Sequence, residues 1–232
     1  METRLYGDCL EIMKTLPDKS IDLFLCDLPY GSISCEWDVP INLEQFWMEV
    51  ERLMKNDNTP ILHFCSTKFG FEIYKSRSDW FRYDLIWNKK KGVSFLLVNK
   101  MPMRSHENIH VYSKKSANYY RKDVEGKPYQ KKSRQNKNIQ YNVNRVENMN
   151  TGTRSVLSVI DIENMSGHKG GVHPTQKPEK LYEWLIERYS EEGDTILDPT
   201  AGSFTSTETA VRMKRNGIGI ELKKEEKQKT NK

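Results

Sequence analysis

Apolar and polar positions along the chain keep two rhythms. One is the short apolar run: IDLFLC (21–26), PILHFC (60–65), YDLIW (83–87) and ENIHVY (107–112). Such lengths suit buried or half-buried strands. The other is helical spacing. Cys9, Ile12, Met13 and Leu16 keep it across 9–16, and Leu43, Phe46, Trp47, Val50 and Met54 across 43–54, with Asn42 placed as a cap. A helical stretch is expected at 67–75. Another is expected at 178–189, with Leu181, Trp184 and Leu185 on one face and Pro178 in the first turn. Runs of this kind alternating with helices predict an α/β fold, a doubly wound Rossmann-like mixed sheet with helices on both faces.

The last unit carries the clearest pattern. DTILD (194–198) is a strand ending in an acid, and PTAGSF follows as a loop of mostly small residues. Thr205-x-x-Glu208 has the spacing of a capping box and predicts the start of a helix. Asn216-Gly217 is expected to end that helix, and Ile218–Ile220 to form a strand stopping at Glu221. Ligands of doubly wound sheets sit off the carboxyl ends of strands, and an acid about 20 residues beyond the first loop suits ribose hydroxyls. The loop is neither G-x-G-x-x-G nor a P-loop, so a nucleoside ligand without a pyrophosphate fits it. The stretch FLCDLPYG (24–31) repeats the theme: a buried strand ends in Asp27, followed by a stiff Pro29 and a flat Tyr30.

Charge adds a third region. The net charge is +5, yet residues 114–150 hold ten basic and three acidic residues, a surplus of +7, leaving −2 for the remainder. Tyr119, Tyr120, Tyr129 and Tyr141 are interleaved with those cations. Basic side chains with stacking rings point to a nucleic acid, whereas charge alone would also fit a solvated loop. Cys9, Cys26, Cys35 and Cys65 lie far apart without a C-x-x-C pair, as expected of reduced thiols. No apolar run reaches the ~18 residues of a membrane span. The N-terminus METRLYGDCLEIM lacks the basic-then-apolar order of a signal peptide, so a cytoplasmic location is expected.

Taken in order, these pieces resemble a known family. A strand-end acid followed by x-Pro-Tyr resembles the Asp-Pro-Pro-Tyr motif of amino-group DNA methyltransferases. HPTQKP (173–178), DPTAGSF (198–204) and GIE (219–221) resemble the family's cofactor half. Gly7-Asp8 and Arg104-x-His106-Glu107 extend the resemblance over nearly the whole chain. The catalytic motif precedes the cofactor loop, which resembles the circularly permuted β class. The resemblance implies residues 1–113 as the catalytic half, 114–171 as an inserted basic target-recognition region, 172–222 as the cofactor half and 223–232 as a charged tail.

It also implies the chemistry. S-adenosylmethionine would be the donor, with no metal. Double-stranded DNA would be the partner, and a homodimer and a cognate restriction enzyme stay open as further partners. An exocyclic amine is a poor nucleophile, because its lone pair is delocalised into the ring. Asp27 and a backbone carbonyl at Leu28–Pro29 would each accept one of its N–H groups, and Tyr30 would stack on the flipped base. Asp198, Pro199, Thr200, Gly202 and Ser203 would surround the methionine part of the cofactor. Glu221 would hold the ribose, Asp8 and Cys9 would lie near the adenine, and Thr175 and Lys177 near the methionine end. Lys89, Lys90, Arg104, Lys131, Lys132 and Arg134 would contact DNA. Leu28 departs from the family's first proline, and Phe204 stands where glycine is usual, so its ring must point away from the cofactor.

Acid rather than serine at position 27 favours adenine N6 as the target. Cytosine N4 remains the alternative, as does a DNA-binding member of the fold with little or no activity. HENIH (106–110) matches a zinc-protease signature, but that motif needs a helix, and on a strand the two histidines would sit about 13 Å apart. His63 is read as a core residue.

Overall fold

The structure, a computed structural model, describes residues 1–31, 40–93, 95–131, 148–164 and 176–222. Its strands are β1 (Glu2–Tyr6), β2 (Leu23–Cys26), β3 (Ile61–Cys65), β4 (Phe81–Val93), β5 (Arg104–Tyr112), β6 (Val124–Glu125), β7 (Tyr129–Lys131), β8 (Asn148–Asn150), β9 (Thr153–Arg154), β10 (Val159–Asp161), β11 (Thr195–Asp198) and β12 (Asn216–Glu221). Its α-helices are α1 (Cys9–Met13), α2 (Leu43–Leu53), α3 (Thr67–Ser76), α4 (Glu179–Tyr189) and α5 (Thr205–Arg212). Two compact units result, one of residues 121–157 and one of the chain on either side.

The larger unit holds an eight-stranded sheet in the order β1-β12-β11-β2-β3-β5-β4-β10. Only β5 runs against its neighbours. Alternation along the central strands explains why their sequences read as unbroken apolar runs. Phe24 and Cys26 of β2, with Ile61 and Cys65 of β3, pack under α1, α2 and α3. Leu23, Leu25, Leu62 and Phe64 point the other way, against α4 and Ala210 of α5. A strand buried on both faces has no polar side to show. From β2 the chain crosses to β3 on one side, and from β11 to β12 on the other, so the strand order turns at the β11–β2 junction. Such a junction opens a crevice at the carboxyl ends of its strands.

Most helices start as their sequences predict. Asn42 Oδ1 caps α2 from Gln45 N at 3.1 Å, and Ser66 caps α3. Two expectations at the last unit are corrected. Helix α5 has no capping box: its N-cap is Phe204 in the left-handed region (φ 61°), without a side-chain cap bond. Thr205 is already helical, and Glu208 pairs instead with Arg4 at 2.6 Å. The helix also ends at Arg212, and Asn216-Gly217 opens β12, because Asn216 N bonds Asp194 O and Gly217 N bonds Met1 O.

The basic stretch is more structured than its lack of periodicity predicted. In the smaller unit β6 pairs with β9, and β7 with β8, both antiparallel. The Arg154 guanidinium lies 4.4 Å from the centre of the Tyr129 ring. Strand β10, within the expected 114–171 region, belongs to the larger unit's sheet and lies parallel to β4. The Trp87 indole N–H donates to Ile162 O at 2.8 Å and fastens the segment that follows β10. Among the described residues no helix is long and apolar enough to cross a membrane.

Candidate active site

Four neighbouring parallel strands, β1, β12, β11 and β2, end at one edge of the sheet, and each delivers an acid there. Asp8 follows β1, Glu221 closes β12, Asp198 closes β11 and Asp27 follows β2. Each element explains its acid's placing. Tyr6 is in register with Glu221, and Gly7 N bonds Glu221 O at 2.9 Å, so Asp8 and Cys9 turn into α1 beside Glu221. Asp8 Oδ1 caps that helix, accepting from Leu10 N and Glu11 N. Burial, then the Asp8 charge, pushes the Cys9 thiol up to about 11, so Cys9 is a neutral wall rather than a nucleophile.

The loop between β11 and α5 is held by both strand-end acids. Gly202 N donates to Glu221 Oε2 at 2.7 Å, from a residue at φ 52°. Thr200 N donates to Asp198 Oδ1 at 3.1 Å, and the Ser206 hydroxyl to Asp198 Oδ2 at 2.5 Å. Asp198 is 2% exposed, and burial raises its carboxyl to about 7, with Asp27 and Glu221 adding to the rise against those two hydrogen bonds. The Phe204 ring meets Tyr6 edge-on at 5.7 Å and lies under the Arg4 guanidinium. A Cβ on Gly219 would come within 2.6 Å of that ring, so glycine at 219 makes room for phenylalanine at 204. Ser203 and Gln176 both bond the Thr205 hydroxyl, at 2.9 and 2.7 Å.

Asp27, the most telling sequence position, sits in a charged cluster. Its Oδ2 is 2.5 Å from Lys177 Nζ, and its Oδ1 accepts from the Tyr30 hydroxyl at 3.1 Å. The same hydroxyl lies 2.8 Å from Glu107 Oε1, so its single proton is shared between the two acids, the shorter contact being to Glu107. Glu107 is the second centre of the cluster: Lys89 Nζ lies 2.8 Å from Oε2 and Lys177 Nζ 3.6 Å from Oε1. Burial alone would raise Glu107, but Lys177 and Lys89 hold it down at about 2. Burial alone would lower Lys177, but Asp27 and Glu107 hold it above its ordinary range. Burial, Asp27 and Glu107 push the Tyr30 phenol well up, so it stays a neutral donor. The Tyr30 ring stacks on Phe69 with centroids 4.7 Å apart, while Leu28 is buried in the core.

Three named residues have partners other than those expected. Lys177, expected near the methionine end of a cofactor, has its ammonium 2.5 Å from Asp27 Oδ2. Lys89, expected on DNA, is paired with Glu107 and lies 4.7 Å from the centre of the Trp87 ring. Arg104 donates to Thr67 Oγ1 at 2.6 Å and to His106 O. Lys90 is exposed at φ 59°. Thr175, Lys132 and Arg134, and the side chain of Lys131, lie outside the described residues. Sequence reasoning places Glu107 within a motif but gives it no role. Its signal was position: on β5 it shares the inward face with Ile109 and Val111, an acid where the period demands an apolar residue.

The rival motif does not assemble. His106 and His110 lie on one strand, β5, and among the described residues no cluster of three or more His, Cys, Asp or Glu is placed to hold a metal. His63 is fully buried among Phe46, Trp47 and Tyr112.

Known proteins share this architecture. The Haemophilus influenzae type II methyltransferase M.HinfI is 28% identical over 95% of the chain, which spans 65% of that protein's length, just under two thirds. A crystal structure titled as an M1.HpyAVI–SAM complex superposes with a TM-score of 0.61 at 24% identity, covering 97% of this chain and 94% of that one. PvuII DNA methyltransferase, titled cytosine-N4-specific, superposes with a TM-score of 0.67 at 18% identity, covering 96% and 82%. These likenesses show a shared methyltransferase fold. A family model described as DNA methylase matches residues 21–232, and with the acid-ended strands in place the chain belongs to that N6/N4 DNA methylase family.

Proposed function

We propose that this chain transfers a methyl group from S-adenosylmethionine to the N6 amine of adenine in duplex DNA, as a member of the permuted β class. The observation that carries the reading is the Asp27–Tyr30 corner at the same sheet edge as Asp198 and Glu221. It brings a hydrogen-bond acceptor and a flat ring to the end of the strand that adjoins the one closed by Asp198. The cofactor is S-adenosylmethionine. Its ribose hydroxyls fit Glu221, whose carboxylate already fastens the loop at Gly202. Its carboxylate fits the N-terminus of α5, which carries no side-chain cap.

Asp27 and the Leu28 carbonyl would each accept an N–H of the target amine and aim its lone pair at the donor methyl. Proline at 29 has a fixed φ, which stiffens the turn that presents that carbonyl. Bound S-adenosylmethionine would supply the methyl group from a sulfonium that becomes a neutral thioether, and the methylated amine, at first a cation, would lose one proton to solvent. The protein's contribution is positioning and charge placement. Residues 121–157, with the rest of the basic stretch 114–150, would contact DNA and read its sequence, helped by Lys90.

The test is incubation of plasmid DNA with labelled S-adenosylmethionine and nucleoside analysis of the product. Label in N6-methyl-2′-deoxyadenosine, lost in Asp27→Ala at unchanged cofactor affinity, is the expected result. Label in N4-methylcytosine would move the specificity to the alternative, and no label with retained DNA binding would leave a binding protein.

A further inference from the structure

Asp27 meets an incoming amine already engaged, because Lys177 Nζ lies 2.5 Å from its Oδ2 and neutralises the carboxylate from that side. The ammonium has a second acceptor close by. Glu107 Oε1 is 3.6 Å from it, while Lys89 holds the other oxygen of the same carboxylate at 2.8 Å. The Tyr30 hydroxyl bridges the two acids, within 3.1 Å of one and 2.8 Å of the other. Two carboxylates and two ammoniums balance, so the lysine moves within a neutral set. A displacement on the order of 1 Å would bring Lys177 to the usual charge-assisted distance from Glu107. Its ammonium is walled on another side by the Phe64 ring, 5.0 Å to the centroid.

We propose that Lys177 is a positioning residue with two stations: it holds Asp27 while the site is empty, and moves onto Glu107 when the target amine takes Oδ2. The inference rests on the methyl-transfer reading above. Chemistry gives the move a purpose. As the methyl leaves the sulfonium, positive charge develops on the amine nitrogen. An ammonium still bound to Asp27 would cancel the carboxylate that faces this charge. Shifted to Glu107, it leaves Asp27 to stabilise the developing cation, and Glu107 keeps the displaced lysine paired instead of stranding a buried charge. Glu107 is the receiving station and acts only through Lys177 and Tyr30.

The experiment compares the full chain with Glu107→Gln, Lys177→Met and the double variant, using plasmid DNA and tritiated S-adenosylmethionine. Glutamine still accepts from Tyr30 but gives the lysine no second anion. Glu107→Gln is therefore expected to lower kcat about tenfold or more, with KM for the cofactor within about twofold. Removing the lysine removes what must be moved, so the double variant is expected to be about fivefold or more faster than Glu107→Gln. A merely structural Glu107 would give no such rescue. A double variant as slow as Glu107→Gln, or slower, overturns the inference while leaving methyl transfer intact. A wild-type chain that labels no DNA overturns both. Should Glu107→Gln fail to fold, Lys177→Arg decides: its guanidinium grips Asp27 through two N–H groups. It is expected to lower kcat about tenfold and raise KM for plasmid; wild-type turnover in that variant overturns the inference.

Discussion

The Tyr30 hydroxyl lies between two carboxylates, and that placing changes what its removal should do. Tyr30→Phe keeps the ring and its stack on Phe69 but loses the bonds to Asp27 and Glu107. Turnover on plasmid DNA is expected to fall about tenfold in Tyr30→Phe and about 10²-fold or more in Tyr30→Ala, where the stacking face is gone. Equal losses would assign the whole effect to the hydroxyl. His63 gives a stability prediction. Both its ring nitrogens are buried without a hydrogen-bond partner, and burial, then His110, lowers it to about 3. The unfolded chain binds a proton below about 6.5 and the folded chain does not, so His63 costs stability as pH falls from there towards 3. His63→Leu is expected to melt higher than wild type at pH 7. The gap should widen on acidification by up to about 1.4 kcal/mol per pH unit; a constant gap in melting scans from pH 7 to 5 would refute the assignment. Asp27 to Tyr30 were legible because four adjoining residues carried the whole motif. The Glu107 cluster was not, because its members come from positions 27, 30, 89, 107 and 177 and meet only through strand pairing.

At the scale of elements, the β11–α5 corner shows where local pattern misleads. Thr205 and Glu208 have capping-box spacing, but the turn enters the left-handed region one residue earlier, at Phe204, and tertiary partners claim both side chains. Phe204→Gly would relieve about 1 kcal/mol of backbone strain. It would also empty the space between Tyr6 and Gly219, so a net loss of about 2–4 kcal/mol is expected in denaturant unfolding. A more stable glycine variant would show that the ring contributes little. The same corner predicts a pH dependence. Asp198, raised to about 7, is neutral in the empty folded protein at acid pH. Its folded value exceeds the unfolded one, so its contribution to the empty chain's stability is lost as pH rises through 7. A cationic sulfonium cofactor favours the ionised form, so its affinity should rise about three- to tenfold from pH 6 to 8 in calorimetry. Asp198→Asn should flatten that rise. The central strands β2, β3 and β11, by contrast, were read within two residues, because two buried faces leave an unbroken apolar signature, whereas β1 at the sheet edge was not anticipated and β4 runs six residues past its expected end. Strand β10 escaped because three residues on a sheet edge have too short a period to read.

At the scale of the molecule, charge is divided as the fold is. Residues 114–150 hold a +7 surplus against −2 elsewhere. Replacing Lys131, Lys132 and Arg134 by Ala is expected to flatten the log–log salt dependence of DNA binding by roughly 2–3 units, at unchanged cofactor affinity. An unchanged slope would move the phosphate contacts to the Lys90 side of the larger unit. Sheet order was only half legible: which strands exist follows from period, whereas which strands adjoin depends on crossovers that no local window contains. One adjacency has a consequence for how the protein comes into being. Strand β1 is paired to β12, register Glu2↔Gly217 through Tyr6↔Glu221, so β1 waits for a strand made long after it. A nascent chain still lacking β12 has no Glu221 to fasten Gly202 and no neighbour for β1. During synthesis the edge formed by Asp198 and Glu221 stays unbuilt until β12 has emerged, and a message broken before β12 yields a chain with open strand edges in place of a half-competent enzyme.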